Sequence, residues 1–110
     1  MAAFAMFFSY TPQTWDRMMT KPGDRAAAAR AVIESSGGTL ECLYFMLGDR
    51  DGFAVVHVPS VEDAAALALA INSSGAFSHL ETRALIDPSD LGGVLEKAAA
   101  ARGAYTPPGE

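Results

Sequence analysis

Two histidines are the only imidazoles in the chain, and both fall in segments that read as strands. His57 sits in Phe53-Ala54-Val55-Val56-His57-Val58. Strict alternation puts it on one face with Phe53 and Val55, while Ala54, Val56 and Val58 point the other way. An imidazole titrates near neutrality, so a half-buried one is a natural general base or proton shuttle. It serves equally as a neutral hydrogen-bonded group at a strand end or a subunit seam. The second stretch places Phe77, His79, Glu81, Arg83 and Leu85 on one face and Ser78, Leu80, Thr82, Ala84 and Ile86 on the other. A His-Glu-Arg row at period two suits the wall of a polar cavity. It also suits the wet face of an edge strand, where charges discourage strand addition. Arg83 can clamp a carboxylate with two parallel hydrogen bonds or pair with Glu81 or Glu41. His57, His79 and Arg83 are the candidate catalytic residues.

Other chemistry is hard to assemble. His57, His79 and Glu81 could converge on a metal in principle, but no His-x-x-x-His spacing supports it, and neither a metal nor a cofactor is expected. There is no Walker loop and no Gly-x-Ser-x-Gly elbow. Cys42, flanked by Leu40, Tyr44 and Met46 on its strand, reads as a buried inert thiol; as the single cysteine it excludes an internal disulfide and suits a reducing compartment. The aromatic and methionine set, including Phe8, Tyr10, Trp15, Tyr44 and Phe45, packs a core or lines an apolar pocket. Tyr10 and Trp15 carry polar tips that need partners, which suits a pocket mouth. The expected ligand-binding set is Tyr10, Trp15, Tyr44 and His57.

These residues must be carried by one domain, because 110 residues support a single core. Half the residues are hydrophobic and 19% are charged, which excludes intrinsic disorder. A net charge of −5 with eight scattered basic residues argues against nucleic acid and against anionic membranes. The apolar start, Ala2 to Phe8, is too short to span a bilayer and lacks a basic leader, so cytoplasmic residence is expected.

Along the chain, residues 3–10 predict a strand and residues 13–19 a short helix. Asp24 caps a second helix through Ser35 that Gly37-Gly38 stops. Strands at 39–47 and 53–58 form a hairpin around Gly48–Gly52. Ser60-Val-Glu-Asp63 opens a helix with a capping-box pattern, and a fourth strand spans 77–86. Asp87-Pro88 starts a final helix to about Arg102, expected to bury Leu91, Val94, Leu95 and Ala98. The domain therefore spans 1–102, with a loose tail at 103–110. The order β-α-β-β-α-β-α predicts an α+β, ferredoxin-like fold, a four-stranded antiparallel sheet with helices on one face and an extra C-terminal helix.

Such a sheet leaves a face open, yet strand one and most of strand two are apolar on both faces. A sheet wetted on one side should alternate apolar and polar residues. The second face is expected to be covered by another copy, giving a homodimer or a higher even oligomer.

The order and spacing of Tyr10-Thr11, Trp15, Asp24-Arg25, Gly37-Gly38, Tyr44, Gly48 with Asp51, Pro59, and Gly75 followed by Thr82 resemble the GYD-domain family from Phe7 to about Ala98. The tyrosine of the family's name is replaced by Arg50, and His57 stands where the family pattern often has an acidic residue. The resemblance implies a ferredoxin-like domain similar to dimeric α+β-barrel proteins and implies no particular reaction. Three functions follow as expectations. The first is a homodimer holding an apolar or aromatic small molecule between sheet and helices. The second is a cofactor-free monooxygenase or isomerase of the dimeric α+β-barrel kind, with His57 or His79 as base. The third is a structural interaction module.

Overall fold

Apolar residues at every second position from Phe4 to Tyr10 make the first strand the spine of the molecule. In the computed structural model, which describes residues 1–110, β1 (Ala2–Tyr10) is an inner strand of a four-stranded antiparallel sheet. The other strands are β2 (Thr39–Phe45), β3 (Gly52–Val58) and β4 (Phe77–Ala84), in the order β2-β3-β1-β4. The helices are α1 (Pro12–Thr20), α2 (Arg25–Ser35), α3 (Val61–Asn72) and α4 (Leu91–Ala104). β1 and β3 are the inner strands, and β4 lies at an edge as its charged row predicts.

Register decides which residues face the helices. Phe4 pairs with Val56 and Met6 with Ala54, and these four join Val58, Ile33, Ala64 and Leu67 in the core beneath α2 and α3. The opposite face carries Ala5 beside Val55, Phe7 beside Phe53, and Ala3 beside His57. No helix covers that face, and only 14 of the 110 residues are buried, so the molecule is a one-sided sandwich.

Local chemistry sets the helix ends. The Thr11 hydroxyl accepts from the Thr14 N–H at 3.1 Å, and the Asp24 carboxylate accepts from the Ala27 N–H at 3.0 Å. Ser60 accepts from the Asp63 N–H at 3.2 Å, while its hydroxyl donates to the Asp63 carboxylate at 2.7 Å. This is the capping pair read from the sequence, with the shorter acid taking the hydroxyl proton. Gly37, at φ 77°, lets α2 close with Gly38 N–H donating to Ile33 C=O at 3.1 Å. A single 3₁₀ turn (Pro88–Asp90) precedes α4. There the Ser89 hydroxyl and N–H both donate to Asp87, and this hydrogen bonding holds its carboxyl below the usual value of 3.8.

Three expectations are corrected. Two strands are shorter than expected: β2 stops at Phe45 and β4 at Ala84. Phe77 does not share a face with His79, because the register of β1 against β4 shifts between Ser9 and Tyr10. Tyr10 thus pairs with Phe77 and Ser9 with His79. The largest difference is α4. None of its residues is buried; Leu91, Val94 and Leu95 are 44%, 41% and 58% exposed, and Ala98 is exposed too. The helix face of the sheet is already taken by α2 and α3. Its only substantial packing is against the turn before it, in a molecule 59 Å long and 23 Å thick.

Gly52 pairs with Phe8 of β1 and leaves room for its ring. A Cβ there would lie 2.5 Å from the Phe8 ring and 2.7 Å from the Tyr44 carbonyl oxygen. Gly52→Ala is therefore expected to cost about 1–3 kcal/mol through overpacking, read as a lowered urea midpoint at unchanged slope. Wild-type stability in that variant would contradict this packing.

Candidate functional site

Alanine-rich flanks on two helices leave a space that larger side chains would fill. Ala28, Ala29 and Val32 of α2 line it on one side, and Ala70 and Ile71 of α3 with Ser74 just beyond that helix line it on the other. The floor is the helix face of the sheet: Met6, Phe8 and Tyr10 of β1, Ala54 and Val56 of β3, with Leu43, Phe77 and Leu80 around them. The result is a cavity of about 310 Å³, fourteen of whose sixteen lining residues are hydrophobic. That lies at the small end of the roughly 300–1,000 Å³ range of small-molecule sites. Its polar exceptions are Ser74 and Arg25, so Arg25 is the one charged side chain on the lining.

One end of the floor is held by Asp51, the last residue of the turn between β2 and β3. Its Oδ2 accepts from the Tyr10 backbone N–H at 2.9 Å and from the Trp15 Nε1–H at 3.0 Å. Its own N–H donates to Phe8 C=O, and its C=O accepts from Met46 N–H, both at 2.8 Å. The end of β1, the first turn of α1 and the hairpin turn are thus tied by one residue. Around it the aromatic rings pack edge to face: Tyr10 with Trp15 at 5.2 Å and 89°, and Phe8 with Phe77 at 5.9 Å and 85°. The Ala76 carbonyl accepts from the Thr11 N–H at 3.0 Å and the Thr14 hydroxyl at 2.8 Å, which ties α1 to the start of β4.

The sequence-derived residues divide between the two faces of the sheet. Tyr10 lines the cavity, and Trp15 stands behind it without reaching the lining. Tyr44 lies on the open face, 61% exposed and stacked on Phe53 at 5.8 Å. His57 is on that face too, its Nε2 2.7 Å from Glu41 Oε1, a residue brought there by the register shift between Leu40 and Cys42. His79 Nε2 lies 3.8 Å from Glu81 Oε1 and has no hydrogen-bond partner. Arg83 meets Glu81 at 2.6 Å, one of the two carboxylates its position allowed, and covers the Phe7 ring at 5.5 Å. Neither imidazole reaches the cavity. Arg50, in the place of the motif tyrosine, donates to the Asp49 carbonyl at 3.1 Å.

Sequence reasoning missed Arg25, Ile71, Phe77 and Leu80 as lining residues. Arg25 did carry a signal: it is the first residue of α2, where the positive end of the helix dipole disfavours a cation. Phe77 and Leu80 fall on opposite faces by strict alternation, and only the shifted register brings both to the cavity.

The GYD domain family matches residues 4–95 of the sequence. No curated protein matches it. Two solved structures are similar in fold. One is 5-chloro-2-hydroxyhydroquinone dehydrochlorinase (TftG) from Burkholderia phenoliruptrix AC1100, in complex with 2,5-dihydroxybenzoquinone. It aligns with a TM-score of 0.53 at 13% identity, over 79% of this chain and 96% of that one. The other, FFRP-DM1, aligns with a TM-score of 0.51 at 11% identity, over 78% of this chain and all of that one. At these identities the likeness is one of fold alone, a ferredoxin-like α+β architecture.

Asp51→Ala leaves the Tyr10 N–H and the Trp15 indole N–H without their acceptor, and an expected loss of about 1–3 kcal/mol follows. Asp51→Asn keeps an acceptor oxygen and should lose clearly less. Urea unfolding followed by the fluorescence of Trp15, the only tryptophan, checks both values.

Proposed function

The chain belongs to the GYD domain family, and we propose that this member is a small-molecule-binding homodimer that holds an apolar or aromatic ligand between its sheet and its helices. The observation that carries the reading is the cavity between α2, α3 and the sheet, lined almost wholly by hydrophobic side chains. Apolar surface left around such a space loses packing that a ligand of matching shape restores. The 2,5-dihydroxybenzoquinone held by TftG supports the reading by showing a ring-sized ligand on this fold.

Dimerisation is argued from the other face. Phe7, Phe53 and Val55 form a half-buried apolar patch with Tyr44 stacked at its edge, and α4 displays Leu91, Val94 and Leu95 to solvent. A patch of this kind marks an interface more often than a free surface. A cytoplasmic setting fits the single free thiol, Cys42, and no helix is long and apolar enough to cross a membrane.

A catalytic reading would use the open face. His57 paired with Glu41 is an imidazole oriented by a carboxylate, the arrangement a general base needs. That pair gains walls only when a second copy covers it, so any such chemistry depends on the dimer.

Native mass spectrometry of freshly purified protein tests the reading. A dimer carrying a reproducible extra mass is expected, with the extra mass lost in Ala29→Phe, which fills the cavity from α2. Phe53→Glu is expected to yield monomer. A monomeric wild type would contradict the dimer. Extra mass retained in Ala29→Phe would place the ligand elsewhere.

A further inference from the structure

Charge around the cavity is distributed against the trend of the molecule. The chain has a net charge of −5 and only eight Lys and Arg residues, yet three of them, Arg17, Lys21 and Arg25, line one recess beside the cavity. Tyr10 and Arg25 line both spaces, so the recess and the cavity share a boundary. None of the three cations has a carboxylate within ion-pair distance; the ion pairs of the molecule are His57–Glu41, His79–Glu81 and Arg83–Glu81, all on the open face. Arg25 also occupies the first position of an eleven-residue helix, beside free backbone N–H groups, where a cation is disfavoured and an anion favoured. No acidic side chain lines the cavity or the recess.

Resting on the ligand-binding reading above, we propose that the cavity takes an apolar carboxylate. The hydrocarbon or aromatic body lies over Met6, Phe8 and Val56 between the two helices. The carboxylate reaches the rim and pairs with the Arg25 guanidinium, whose planar fork donates to both carboxylate oxygens at once. Lys21 and Arg17 stand behind it and hold the local potential positive, which draws an anion to a protein that otherwise repels it. Arg25 is then the residue that sets specificity, separating acids from neutral molecules of the same shape.

Competition among matched ligands tests this. N-phenyl-1-naphthylamine, neutral and fluorescent in apolar surroundings, reports the cavity itself. Its displacement by 2-naphthoate is compared with displacement by 2-naphthamide, which has nearly the same shape and no charge. The wild type is expected to favour the carboxylate by on the order of tenfold, as one charge-assisted bidentate pair allows, and to lose that preference at high salt. Arg25→Gln should bring the two competitors to near equality, and Arg25→Lys should keep part of the difference. Arg30→Gln, exposed on the same helix and away from the cavity, should keep all of it. Equal competition in the wild type, or an undiminished preference in Arg25→Gln, overturns the proposal while leaving the cavity as a neutral apolar site. Failure of the naphthylamine to bind the wild type, or its binding unchanged in Ala29→Phe, overturns the cavity reading and this one with it.

Discussion

One carboxylate fixes the geometry on which the site depends. Asp51 accepts two N–H groups through a single oxygen, one from the backbone of β1 and one from the indole of α1, while its own backbone bridges β1 and β2. The ladder to β3 ends at Phe8 opposite Gly52, so Ser9 and Tyr10 pair on one side only, with His79 and Phe77 of β4. Held there, Tyr10 is buried at 7% exposure, and Trp15, Phe45 and Phe77 pack against it. The cavity floor inherits this rigidity. Asp51 thus has a structural duty, and the Arg50 side chain takes no part in these bonds.

The two faces of the sheet carry different physics. On the helix side, aromatic floor residues and alanine-flanked helices combine to leave space. Alanines of α2 and α3 and the aromatic residues Phe8 and Tyr10 of the sheet line that space together. On the other side the polar groups are paired among themselves, with Glu41 meeting His57 and Glu81 meeting Arg83. Apolar rings at the centre with ion pairs toward the edges is the pattern of an interface core and rim. In the proposed function the helix-side face holds the ligand and the open face a second copy.

Much of the fold was legible because local signals agreed. The period-two run of β1, the Asp24 and Ser60 caps, and the Gly37-Gly38 stop each point to the element found there. The inward and outward faces of β3 follow from alternation alone, which is why His57 could be placed beside Phe53 and Val55. Alternation failed on β4, because a register shift is an event between strands and leaves no mark in either one's own pattern. It failed to unite the expected binding residues for a related reason: Tyr10 and Tyr44 are both aromatic strand residues, and nothing in the linear sequence says that they face opposite sides. Leu91, Val94, Leu95 and Ala98 of α4 recur at helical spacing, yet none of them is buried, because spacing along one helix does not say what lies against it. Arg25 enters the sequence reading only with Asp24 as part of the family pattern, and its place on the cavity lining depends on how α2 sits over the sheet.

The central claim is that the space between the sheet and the helices α2 and α3 is where this protein meets a small molecule. The most direct measurement is a backbone amide chemical-shift titration of the intact protein with N-phenyl-1-naphthylamine. The account predicts saturable shifts concentrated at Ala29, Val32, Ile71 and Leu80, with Tyr44, Val55 and His57 on the far face unmoved. Shifts centred on the far face, or none that saturate, would contradict it.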